Sequence, residues 1–206
     1  MKKALLEYWV RTGLIKDKRL LKAFEDVPRE KFILESHQDQ AYGDYPLPIG
    51  YEQTISQPST IMIMLQALEL KKTDKVLEVG AGSGYNAALM AKLVKKVVSV
   101  EIVKELVGFA RDNLKASGIS NVDVVFGDGS IGFEKEAPYD KIIVTAACPT
   151  IPPPLIEQLR VEGILLTPVG GYMGQKMIRG KKIRGKMEYE SLGDFAFVPL
   201  RGKHGI

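Results

Sequence analysis

At 206 residues, with 45% hydrophobic and 26% charged residues, the chain has the size of one large domain and the balance of a globular protein. A single cysteine, Cys148, excludes an internal disulfide, and two histidines leave too little soft-ligand chemistry for a metal site, so none is expected. No apolar run approaches the roughly 18 residues of a membrane span, and the lysine-led N-terminus is broken by Glu7 and Arg11, so it reads as a first helix rather than a leader. The expected setting is cytoplasmic, with no membrane partner.

The net charge of +4 is uneven. Six basic residues and no acid fall in residues 176–186, KMIRGKKIRGK, which leaves the rest of the chain net negative. The alternation of Met177, Ile178 and Ile183 with lysines reads as a solvated hairpin turning near Gly180, and a nucleic-acid contact is the less favoured alternative.

In chain order, apolar residues at Leu5, Leu6, Trp9 and Val10 predict a helix over 3–14 that stops at Gly13. A second helix carries Leu20, Leu21 and Phe24 and ends before Pro28, and Phe32 and Ile33 suggest a short apolar turn. Residues 40–57, rich in proline and glycine, read as an ordered loop, and Pro58 opens the next helix. From residue 75 strands and helices alternate. Strands are predicted at 76–79, 97–101, 122–126, 141–147 and 163–170, and helices at 86–94, 103–116 and 152–160. Residues 175–200 read as antiparallel strands at one edge. The expectation is one α/β domain over 1–206: helices and a loop over 1–74, then a doubly wound, mainly parallel Rossmann-like sheet over 75–206.

The run VLEVGAGSGY sets Gly80, Gly82 and Gly84 between a buried strand and a helix, where a doubly wound sheet offers backbone amides to a ligand. The spacing is GxGxG, not the GxGxxG that faces a pyrophosphate, and with Glu78 just before the turn it favours a cofactor without phosphate, S-adenosyl-L-methionine, over a nicotinamide dinucleotide. Glu101, ending the second strand, is placed to accept the ribose hydroxyls, and Asp128 of the GDG at 127–129, with Gly129, to meet the adenine. These strand ends resemble the seven-stranded S-adenosylmethionine-dependent methyltransferases, a resemblance that implies a role for Glu78 through contacts with the amino-acid end of the cofactor.

The loop AYGDYPLPIGYEQTISQP, residues 41–58, is more specific. It resembles the hallmark of the protein-L-isoaspartate(D-aspartate) O-methyltransferases, as do AFEDVPREKF (23–32), YDKIIVTAACPTIPPPLIEQL (139–159), LLTPVG and FVPL. The resemblance implies an enzyme that methylates the α-carboxylate of isoaspartyl residues in damaged proteins and peptides, starting their repair through a succinimide. RNA is the alternative acceptor. The chemistry suits hydroxyl donors: an α-carboxylate with a pKa of about 3.3 to 3.7 is already ionised and needs orientation, not a base. Thr54 and Ser56 supply such donors, and the resemblance implies that Ser56 is the active-site residue; the competing reading has both hydroxyls capping the helix after Pro58. Two departures stand out: Glu52, where the family commonly has glycine, and Glu162 in place of the first glycine of a pair.

Overall fold

The computed structural model describes residues 1–171 and 174–205. Helix α1 (Lys2–Thr12) stops at Gly13, whose left-handed backbone lets its N–H reach the Val10 carbonyl. Helix α2 (Lys18–Asp26) starts on Asp17, whose carboxylate accepts the Arg19 amide. A 3-10 turn at Arg29–Phe32 and another at Glu35–Gln40 lead into the loop.

Within residues 40–57, expected as loop, the chain forms an antiparallel hairpin, β1 (Leu47–Gly50) and β2 (Gln53–Ile55). Its period-two signal is real but brief: Leu47, Ile49 and Ile55 are buried while Pro48 and Thr54 face outward, and the prolines hide the alternation. The turn takes Tyr51 and Glu52 through φ of 54° and 59°, the left-handed region that favours glycine, so the departure at Glu52 sits at a strained position. Its carboxylate pairs with Arg201 at 3.1 Å.

Helix α3 (Pro58–Ala67) has no side-chain cap from its own N-cap residue, Gln57. Neither Thr54 nor Ser56 caps it. Asp44 does so instead, accepting from the Ser59 amide at 2.9 Å and the Ser59 hydroxyl at 2.7 Å. Trp9 Nε1 donates to the same hydroxyl at 2.7 Å, tying α1 and the loop to the helix start. Trp9 is fully buried and packs edge-on against Phe24 at 4.7 Å, so its indole gains both apolar burial and a polar partner.

The remaining elements are β3 (Lys75–Val79), α4 (Tyr85–Ala91), β4 (Lys96–Glu101), α5 (Lys104–Ala116), β5 (Val122–Phe126), β6 (Tyr139–Val144), α6 (Pro153–Gln158), β7 (Leu159–Gly171), β8 (Gly174–Ile183) and β9 (Lys186–Phe195). They build a seven-stranded sheet in the order β5-β4-β3-β6-β7-β8-β9, parallel through β7 and antiparallel for β8 and β9. Strands β3, β4 and β6 are buried almost throughout, as expected when helices cover both faces. The doubly wound, mainly parallel architecture with antiparallel edge strands is as expected from the sequence.

Several boundaries moved: β6 ends at Val144 rather than 147, and β9 at Phe195, short of residue 200. Helix α4 ends at Ala91, short of residue 94, and β7 begins at Leu159, shortening the helix expected over 152–160. The last hairpin turns at Arg184 and Gly185, not near Gly180. Gly180 sits within β8 opposite Tyr189, and a Cβ there would lie 3.0 Å from the tyrosine ring, so the glycine makes room for an aromatic across the strands. Of the basic run, Lys176, Arg179 and Lys181 pair with Asp194, Glu190 and Glu162, and Lys182 donates to two carbonyls, those of Ile156 and Leu159. Such a strand shows less free positive charge than its sequence suggests. Among the described residues no helix is long and apolar enough to cross a membrane.

Candidate active site

The sheet reverses its winding at β3, with β4 on one side and β6 on the other, and a crevice opens at the carboxyl ends of these strands. It holds a cavity lined by the hairpin, the glycine turn, Glu101 and the C-terminal tail. Its floor is the glycine turn: Gly80 leaves β3 with φ of 95°, and a Cβ there would fall 2.4 Å from Thr145 Oγ1. The Thr145 hydroxyl donates to the Val79 and Gly80 carbonyls, which locks the turn to the end of β6. Gly84 serves packing, since a Cβ would press on Ala110 of α5 at 3.2 to 3.3 Å.

Of the residues expected to hold a cofactor, Gly80, Gly82, Glu101 and Gly129 line this cavity, while Glu78, Gly84 and Asp128 do not. Glu101 is buried at its wall, one oxygen accepting the Gly82 amide and the other the Val103 amide, each at 2.9 Å. One carboxylate therefore ties the glycine turn to the start of α5 while its remaining lone pairs stay open to a ligand.

Glu78 lies wholly buried behind the wall, accepting from Ser99 Oγ and from Asn86 Nδ2. Burial pushes its pKa up from 4.5 to about 7, against the two hydrogen bonds that favour the charged form. Asn86, which the sequence reading assigned only to a helix, does line the cavity, and its Oδ1 is buried without a hydrogen-bond partner among the described residues. Glu78 thus meets the cavity through Asn86. The linkage has a definite sign. Between pH 4.5 and about 7 the folded state keeps a proton that the unfolded state has released, so stability falls as pH rises through that window. Urea unfolding of the ligand-free protein at pH 5 and pH 8 is expected to show a smaller loss for Glu78→Gln than for the unsubstituted chain; equal losses would refute the assignment.

Asp128 caps the 3-10 turn at Gly129–Ile131 by accepting the Ser130 amide at 2.9 Å, and its second oxygen accepts the Lys203 amide at 2.8 Å. It pins the C-terminal tail. That tail also crosses the end of β6, where Ala147 N donates to Val198 O and Leu200 N to Ala147 O, and so residues 198–201 become a wall of the cavity.

Ser56 and Thr54 follow from the hairpin. They line the cavity and also an outer groove bounded by Pro46, Gln57 and Thr60 on the loop side and residues 196–198 of the tail. The two hydroxyls thus stand where the cavity and the groove meet. Beneath them lies Arg29, fully buried, whose Nη2 donates to the Ser56 carbonyl and Nε to the Ala41 carbonyl, each at 2.8 Å. Burial pushes its pKa down to about 10, which leaves it charged at neutral pH. Cys148 is buried against Thr167 at 3.2 Å, and burial raises its thiol pKa, so it packs rather than reacts.

The sequence model of the protein-L-isoaspartate(D-aspartate) O-methyltransferase (PCMT) family matches residues 1–205. Protein-L-isoaspartate O-methyltransferase 2 of Archaeoglobus fulgidus is 49% identical over 200 residues, covering 96% of this chain and 91% of its own. The protein-L-isoaspartate O-methyltransferase of Pyrococcus horikoshii is 46% identical, with 98% and 97% covered. A crystal structure of that family name from Plasmodium falciparum, in complex with S-adenosyl-L-homocysteine, superposes with a TM-score of 0.86 at 30% identity, covering 97% of each chain. With a switch-point cavity and hydroxyl-bearing hairpin in place, and relatives matched over nearly their whole length, this chain belongs to the protein-L-isoaspartate(D-aspartate) O-methyltransferase family.

Proposed function

We propose that this chain transfers the methyl group of S-adenosyl-L-methionine to the α-carboxylate of L-isoaspartyl residues in damaged proteins and peptides, with Ser56 and Thr54 orienting that carboxylate. The observation that carries the reading is the wall shared by cavity and groove, to which Thr54 and Ser56 both belong. The residues of the cavity suit the cofactor: Glu101 has open acceptor positions for ribose hydroxyls, and Asn86 Oδ1 is a buried acceptor in want of a donor among the described residues. When bound, the cofactor supplies an electrophilic methyl on a sulfonium centre.

The chain's own work is positioning. An isoaspartyl α-carboxylate is ionised at neutral pH and carries its own nucleophilic oxygen, so the protein provides donors that fix its direction and walls that exclude water. Thr54 and Ser56 donate without adding a full cation beside the attacking oxygen. Ala196, Phe197 and Val198 form the facing side of the groove. The methyl ester formed has a better leaving group than the acid, so the neighbouring backbone nitrogen closes a succinimide and expels methanol. Water then opens the ring to aspartyl or isoaspartyl. We also propose that residues 1–74 and 75–206 act as one domain, Asp128 remaining close to the adenine end through its hold on Gly129 and the tail, and Gly84 shaping the turn from behind.

The test is transfer from labelled S-adenosyl-L-methionine to an isoaspartyl peptide and to its aspartyl twin. A base-labile ester on the first alone is expected. Equal labelling of both would defeat the reading. The RNA alternative draws no support from the family match, and the basic run that suggested it is largely engaged with acids and carbonyls.

A further inference from the structure

Arg29 is a costly residue in its place. Its side chain is fully buried, yet among the described residues no carboxylate pairs with it. The nearby acids are engaged elsewhere: Glu30 accepts from the Tyr42 hydroxyl and Asp44 caps α3. Its partners are two carbonyls, those of Ala41 and Ser56, and the ring of Tyr85 at 5.0 Å, while Nη1 has no hydrogen-bond partner. Removing a guanidinium from water without a counter-ion is strongly unfavourable, and a stabilising role alone would be filled as well by apolar side chains.

What this geometry achieves is local. Ala41 and Ser56 are the two ends of the loop that carries the hairpin, and one rigid planar group holds both. Tyr85, on which the guanidinium rests, opens α4 directly after the glycine turn and itself lines the cavity. The same side chain therefore links the Ser56 backbone to the first turn of the helix beside the cofactor cavity. Lysine can reach two carbonyls, as Lys182 does, but it has no planar group to rest on the Tyr85 ring while a fixed fork holds both ends of the loop.

We infer that Arg29 is a positioning residue for methyl transfer, setting the Ser56 hydroxyl in register with the cofactor cavity through the Ser56 carbonyl and the Tyr85 ring. This rests on the proposed role of Ser56. In the ordinary course a buried structural arginine would act on the whole fold; this one acts through a single hydroxyl, and the difference is measurable.

The experiment is a double-mutant cycle of Arg29→Lys and Ser56→Ala, read as kcat and KM on an isoaspartyl peptide, with S-adenosyl-L-homocysteine affinity from calorimetry. Arg29→Lys is expected to lower kcat by about tenfold with the affinity held within about twofold, and to cost less than about twofold more once Ser56 is alanine. An equal fall in both backgrounds, or an unchanged kcat, overturns the inference. Should Ser56→Ala alone leave kcat unchanged, the fault lies with the role given to Ser56, and the inference falls with it. If Arg29→Lys does not fold, the unsubstituted protein decides: with S-adenosyl-L-homocysteine bound, the Arg29 Nε–H resonance is expected to move on titration with the isoaspartyl peptide and not with the aspartyl one. A resonance that stays in place overturns the inference.

Discussion

Ser56→Ala is expected to lower kcat on an isoaspartyl peptide by about 100-fold, the scale of losing one positioned donor or of misplacing a reacting atom by about an ångström. Cofactor affinity should barely change, because the cavity floor is made of the glycine turn, Thr145 and Glu101, none of which Ser56 touches by a hydrogen bond. Stability should also hold, since the Ser56 hydroxyl caps no helix; Asp44 has that task. Thr54→Ala, on the more exposed strand position, should cost less. Steady-state kinetics with calorimetry of S-adenosyl-L-homocysteine separates these effects. A kcat within a few-fold of the unsubstituted chain would remove Ser56 from the reaction.

Glu101→Ala is expected to weaken S-adenosyl-L-homocysteine binding by roughly 100-fold, about 2.7 kcal/mol. Two contributions add. The carboxylate is a ready acceptor for ribose hydroxyls, and a charge-assisted hydrogen bond contributes about 1.5 to 3 kcal/mol. It also holds the Gly82 and Val103 amides, so without it the glycine turn and the start of α5 lose a common anchor. Glu101→Gln should fall between, because an amide has one accepting oxygen where the carboxylate has two. Titration calorimetry on both variants checks the order, and an unchanged affinity in the alanine variant would show that the ribose is held elsewhere.

The parallel strands were legible because burial on both faces leaves a valine-rich run without polar alternation, as in VVSV before Glu101, where only the buried Ser99 breaks the series. The glycine triplet was legible for a similar reason: at Gly80 a side chain would collide with Thr145, so the residue type itself records the close approach. The hairpin of the substrate loop was not legible, since three- and four-residue strands interrupted by proline carry too short a period to recognise. Nor was the turn of the last hairpin, where Gly180 looked like punctuation but serves the Tyr189 ring across the strand pair.

The site divides in the same way. Glu101, Thr54 and Ser56, which line the cavity, stood out by residue type at a strand end or in a family-like loop, as did Glu78 and Asp128, which lie outside its lining. Their neighbours did not. Asn86 is an ordinary helix residue until Glu78 turns it toward the cavity wall, and Arg29 is one basic residue among many until it is found beneath Ser56, 27 positions away.

By itself the sequence determined the sheet's strands, the glycine turn and the loop that belongs to this family, because each is written in neighbouring residues, through periodicity, backbone freedom and fixed polar spacing. Only the tertiary structure decided that the 198–201 tail closes the cavity, that Asp128 holds that tail, and that a buried arginine grips both ends of the loop. Those are pairings between hydrogen-bonding groups distant in the chain, and burial, which leaves each such group in need of a partner, selects them only once the core has formed.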